Sequence, residues 1–112
     1  MYPMRGEVWL VELNPVRGHE QAGTRPALVF SVDIFNNGPA GLVVVIPITS
    51  KNRDIPLHVD ISPPDGGLKV KSYIKCEDMC SVSKDRLTRK LGTVSFSILE
   101  SVEDRVKILL GL

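Results

Sequence analysis

The chain has 112 residues, 43% apolar and 24% charged, with a formal net charge of +1. These proportions exclude a disordered tail and fit a single globular domain over residues 1–112, long enough for a real core. The near-neutral total does not announce a nucleic-acid binder, but a local basic patch can sit on a neutral protein.

The N-terminal run Gly6 to Leu13 is rich in Val, Trp and Leu and reads as a strand stopped by Asn14-Pro15. Arg25 to Val32 is a second strand, and Asp33 to Gly41 holds a dense turn signal with room for a short helical turn. Leu42 to Thr49 reads as a central strand, with Pro47 marking a bulge or an edge because proline cannot donate to a ladder. Ile55 to Ile61 alternates as a strand, Pro63 to Gly67 is a turn, and Leu68 to Glu77 holds one or two short strands. Asp78 to Leu87 reads as irregular, and Lys90 to Val94 as a further short strand.

The C-terminal segment differs in kind. Ser97 and Glu100 form a capping box with Phe96 as staple, apolar residues from Ile98 to Leu110 recur at helical spacing, and Gly111 ends the helix. Several short strands followed by one amphipathic helix predict a mainly β fold, a small antiparallel barrel with a C-terminal helix packed on it.

Polar chemistry concentrates in Gly18 to Pro26, which contains His19, Glu20, Gln21, Thr24 and Arg25. Pro26 biases Arg25 toward extended backbone, so Arg25 belongs to the strand behind the loop. Strand alternation puts Arg25, Ala27, Val29 and Ser31 on one face, Val43, Val45, Pro47 and Thr49 on one face, and Tyr73, Lys75 and Glu77 on one face. Arg25, Thr49, Lys75 and Glu77 therefore converge if their strands are neighbours. Each also has a plainer reading: a surface arginine, an ordinary strand threonine, and a Lys75–Glu77 ion pair. His19 is either a site residue or a solvated loop histidine, and His58, mid-strand, reads as structural.

Two cysteines, Cys76 and Cys80, make no disulfide framework and fall short of a four-ligand zinc site, so they read as packing residues and point to a reducing cytoplasm. Trp9 reads as core or interface more readily than as a base-stacking platform. Basic clusters lie at Lys69, Lys71 and Lys75 and at Lys84, Arg86, Arg89 and Lys90; they are either binding surfaces or solvated faces. The longest apolar run, Leu42 to Ile48, is too short to span a membrane, and the N-terminus lacks a secretory pattern.

Five segments taken together resemble the MazF/PemK (Kid-like) toxins of type II toxin–antitoxin modules. They are Arg5 to Pro15, the loop Gly18 to Pro26, Val43 to Ser50, Tyr73 to Asp78, and Ser83 to Leu87 with the terminal helix. The resemblance covers nearly the whole chain. It implies an SH3-like antiparallel β-barrel with a C-terminal helix (the CcdB/PemK-like barrel), working as a homodimer. The implied activity is metal-independent, cofactor-free, sequence-selective cleavage of single-stranded RNA, mainly mRNA, leaving a 2′,3′-cyclic phosphate (or 3′-phosphate) and a 5′-hydroxyl. The implied inhibitor is a cognate MazE/PemI-like antitoxin that lays an acidic segment across the site.

Such chemistry needs a base for the 2′-proton, an acid for the leaving 5′-oxygen, and a cation or donor for the charged phosphorane. The resemblance assigns Arg25 to the phosphorane and Thr49 to donating toward the scissile phosphate, with Ser50 assisting. Glu77 is the candidate base, Lys75 a phosphate cation or acid, and His19 a proton-transfer or base-binding residue. Glu20, Gln21, Thr24, Ser50, Lys51 and Arg53 are the RNA-binding set, and no metal ligand is expected. The sequence departs from the Kid-like pattern at Lys75 and Glu77, where Arg and Asp are expected. Two alternatives share the barrel: a CcdB-like toxin that binds DNA gyrase, and a plain RNA- or protein-binding module.

Overall fold

In the computed structural model, which describes residues 2–13 and 23–112, the apolar strand-forming runs build seven strands and a terminal helix. The strands are β1 (Glu7–Glu12), β2 (Thr24–Val29), β3 (Leu42–Thr49), β4 (His58–Ile61), β5 (Ser72–Lys75), β6 (Cys80–Ser83) and β7 (Leu87–Thr93). The helices are α1 (Asp33–Asn36), a single turn between β2 and β3, and α2 (Phe96–Leu110). The sheet order is β4-β5-β3-β2-β1-β7, with β6 also on β3, and every pairing is antiparallel.

β3 is the hinge of this arrangement. Leu42 to Val45 pair with β6, and Ile48 and Thr49 pair with β5. Pro47, which has no N–H to offer, falls between the two segments, so the change of partner sits where a ladder donor is missing. Pro47 thus marks neither a free edge nor a strand end. It pairs with Ala27 inside the sheet.

Alternation gives the sheet two apolar faces. One carries Val8, Leu28, Ile46, Ile48, Val59, Ile61, Ile74 and Cys76, covered by Val102 and Val106 of α2. The other carries Trp9, Val11, Ala27, Val29, Val43, Val45 and Leu87, with Leu13 and Val82 packed on it. Burying both faces of β1 to β3 explains their near-continuous apolar runs. Trp9 is core, and its indole nitrogen donates to Glu7 Oε1 at 3.0 Å. Burial pushes the Glu7 carboxyl up, but the Trp9 indole, the Met4 amide and Lys90, whose Nζ lies 2.9 Å from Oε2, together hold it below its ordinary value.

The sheet is closed by a glycine contact. Gly67 (φ 72°) lies so close to β7 that a Cβ there would sit 2.0 Å from the Leu91 carbonyl oxygen. Two residues earlier, Asp65 accepts from both the backbone N–H (2.7 Å) and the hydroxyl (2.8 Å) of Ser95. Ser95 is the N-cap of α2, its side chain accepting from the Ile98 N–H. The N-cap thus falls two residues before the expected Ser97, with Ile98 rather than an acid three residues on, so the Ser97–Glu100 capping box is not formed, and Phe96 is an exposed first helical residue rather than a staple. Gly111, left-handed at φ 71°, ends α2 as expected.

Three further expectations are corrected. The segment expected to be irregular contains β6, whose Cys80 and Ser81 are exposed and so show no apolar alternation. The strand expected from Ile55 is paired only from His58, and β7 begins at Leu87 rather than Lys90. Among the described residues, no helix is long and apolar enough to cross a membrane.

Candidate active site

The register sets out a polar row across one face. Val11 pairs with Arg25 and Leu87, and Tyr73 pairs with both Thr49 and Asp60. Carrying the Ala27–Pro47 pairing two residues further places Arg25 opposite Thr49. The face thus runs from the apolar Leu87 and Val11 into Arg25, Thr49, Tyr73 and Asp60. The next row on the same face holds Lys75 opposite His58.

At the Arg25–Thr49 end the surface opens into a cleft of about 270 Å³, lined by Arg25, Pro26, Ile48, Thr49, Ser50, Lys51, Leu68, Lys69, Val70 and Ser72. Among the described residues, three cations line it and no carboxylate does. Among the described residues, none of Arg25, Lys51 and Lys69 has an acidic partner within ion-pair distance. Arg25 Nε is buried and has no hydrogen-bond partner among the described residues. Thr49 Oγ1 accepts from the Lys51 backbone N–H at 3.1 Å. One acceptor position of that hydroxyl is filled, and its proton is free to point into the cleft. A cationic recess with a guanidinium beside an oriented hydroxyl suits a phosphate or a phosphorane.

Of the residues singled out in the sequence, Arg25, Thr49, Ser50 and Lys51 come together here. Thr24, exposed and paired with Glu12, and Arg53, exposed in the stretch before β4, do not line the cleft. His19, Glu20 and Gln21 lie outside the described residues. Lys75 and Glu77 do not line the cleft and do not pair with each other. Lys75 Nζ meets Asp78 at 2.8 Å. Glu77 Oε2 meets His58 Nε2 at 2.7 Å, with the His58 side chain only 4% exposed. This histidine–carboxylate couple, with His58 Nδ1 and Glu77 Oε1 buried and unpartnered among the described residues, is the feature that sequence reasoning missed. The signal available was His58 on a strand that alternates polar and apolar residues through Val59, Asp60 and Ile61.

The two cysteines part company. Cys76 is in the core, and burial, with the nearby Glu77 charge, pushes its thiol up to about 11. Cys80 is exposed on β6 rather than packed, and burial of its sulfur followed by the Asp78 charge raises its thiol too.

Residues 4–110 match the family described as PemK-like, MazF-like toxin of type II toxin–antitoxin system. The chain is 34% identical over 113 residues to endoribonuclease EndoA of Bacillus subtilis, covering 100% of this chain and 97% of that protein. The crystal structure of MazF (Form-I) from Deinococcus radiodurans superposes with a TM-score of 0.85 at 29% identity, covering 100% and 99% of the two chains. MazF in the MazE–MazF (Form-II) crystal structure of the same organism matches at 0.83 and 28% identity, covering 100% and 98%. With a family match over most of its length and an endoribonuclease relative over all of it, the chain belongs to the PemK-like, MazF-like toxin family.

Proposed function

We propose that this protein is the toxin of a type II toxin–antitoxin module and cleaves single-stranded RNA without a metal ion. In this reading the 2′-oxygen attacks the adjacent phosphorus, a base removes the 2′-proton, and the bond to the 5′-oxygen breaks as that oxygen gains a proton. The products are a 2′,3′-cyclic phosphate (or the 3′-phosphate from its hydrolysis) and a 5′-hydroxyl. The observation that carries the reading is the cationic cleft with Arg25 and a pre-oriented Thr49 hydroxyl on neighbouring strands.

Arg25 stabilises the phosphorane, since a guanidinium keeps its charge and offers two donors in one plane. Thr49 donates to a non-bridging oxygen, and Ser50 and Lys51 hold the strand beside it. Glu77, the proton acceptor expected from the sequence, stands outside this cleft with its Oε2 on His58, so it serves as base only for a strand that runs on along the sheet past Thr49. His19 is the candidate from the preceding loop. The relatives that carry an endoribonuclease name and the MazE–MazF complex support both the activity and a cognate antitoxin as partner. An acidic antitoxin segment would meet three cations in this cleft that pair with no carboxylate among the described residues. The same family membership supports a homodimer acting in the cytoplasm.

Incubating the purified protein with a long RNA in EDTA is expected to give discrete fragments with 5′-hydroxyl ends. Arg25→Ala and Thr49→Val are each expected to lower kcat by about 10²–10³-fold while the fold is kept. Absence of cleavage, cleavage only on adding metal, or full activity of Arg25→Ala would overturn the reading. Loss of DNA topology control without RNA loss would favour a gyrase-binding toxin instead.

A further inference from the structure

The cleft has a second wall that the chemistry above does not use. Leu68, Lys69, Val70 and Ser72 form it, leading into the first residue of β5. Arg25 is on β2, and β3 lies between β2 and β5. The Lys69 wall and Arg25 thus flank the Thr49 strand from opposite sides.

That wall presents a cation with nothing to pair it. Lys71 meets Asp60 at 3.6 Å and Lys75 meets Asp78 at 2.8 Å, whereas Lys69 has no carboxylate partner among the described residues. The three lysines that read as one cluster in the sequence are thus divided, and only Lys69 lines the cleft. The wall is also held in place. Ser72 Oγ donates to the Val70 carbonyl at 3.0 Å, Leu68 is in the core, Gly67 abuts Leu91, and Asp65 is tied to Ser95. A cation on a braced wall is preorganised for a fixed anion.

We infer that Lys69 forms a second phosphate subsite, taking a phosphodiester that flanks the scissile one along the RNA strand. This rests on the endoribonuclease reading and adds to it a grip on the neighbouring nucleotide.

The test is a chemical double-mutant cycle. An oligoribonucleotide bearing a cleavage sequence is made uncleavable by a 2′-deoxy sugar at the cut. Single neutral methylphosphonates are then walked along the flanking linkages. Binding of each strand to wild type and to Lys69→Met is measured by fluorescence anisotropy. Wild type is expected to lose about tenfold at one flanking linkage, and Lys69→Met about tenfold on the parent strand. At that one linkage the methylphosphonate should cost Lys69→Met nothing more. The slope of log affinity against log salt should become shallower by about 0.7 for the variant. Losses that simply multiply at every linkage, or a variant within twofold of wild type throughout, would overturn the subsite. So would a Lys69→Met defect confined to an acidic antitoxin peptide, which would give the lysine to the partner. Cleavage of the unmodified strand by wild type, run alongside, reports separately on the nuclease reading.

Discussion

A hydroxyl in a phosphate site is oriented when its oxygen already has a donor to accept from, and Thr49 has one in the Lys51 N–H. Alternation in the sequence assigned the face of Arg25 and of Thr49 within each strand, because both sit in regular strand with period two, and the β2–β3 pairing joins the two. The same argument failed at Glu77. A 3-10 turn, Cys76–Asp78, begins directly after β5, so the period changes at that point. Lys75 then meets Asp78, three residues on, as a turn dictates, and Glu77 swings to His58. No pattern local to Glu77 reveals a partner 19 residues away. Glu77→Gln keeps the shape and removes the charge. If Glu77 is the proton acceptor, single-turnover cleavage should fall by about 10²–10⁴-fold, with urea unfolding still cooperative. A change of only a few-fold would move the base elsewhere and leave the His58–Glu77 pair as a structural contact.

Among the elements, the strands that bury both faces were legible, because long apolar runs identify them. β6 was not, since two of its four residues are exposed and it is held by the free side of β3. The helix was legible as a periodic run, but its start was misplaced, because a serine at 97 satisfies the capping pattern as well as the serine at 95 does. Asp65, distant in sequence, decides between them. The turn from Asp65 to Gly67 yields the sharpest element-scale expectation. Gly111→Ala faces open space, so only its left-handed φ of 71° matters, about 1–2 kcal/mol. Gly67→Ala adds to a similar φ a Cβ 2.0 Å from a backbone carbonyl, where nothing flexible can yield. Strain and overpacking together give about 3–5 kcal/mol. Paired urea titrations of the two variants should therefore differ by at least about 1 kcal/mol. Equal midpoints would mean that the wall does not abut β7.

At the level of the whole molecule, one sheet has an apolar cluster on each side, and an order of strands followed by one helix was readable as such. What composition hides is the apolar surface left over. Tyr2, Met4, Val32, Ile34 and Phe35 are exposed, Ile34 at 84%. They lie close together, because Asn36 donates to the Pro3 carbonyl and the Arg5 amide donates to Asp33. A homodimer of the kind proposed above would find in this patch an apolar surface to cover. In that case Ile34→Glu, at a position too exposed to affect folding, should sediment more slowly than wild type at the same concentration. A dimeric variant would place the interface elsewhere.

The Asp65–Ser95 link has a consequence at this scale. The residue that caps α2 and the wall that carries Lys69 share one pair of hydrogen bonds. A partner that binds α2 better in one arrangement of that junction than another shifts the affinity of the wall for its ligand wherever that ligand also prefers one arrangement. Thermodynamic reciprocity then makes the ligand shift the partner's affinity by the same factor. The terminal helix, far from the cleft in sequence, is thus a place from which RNA binding could be tuned without occupying the site.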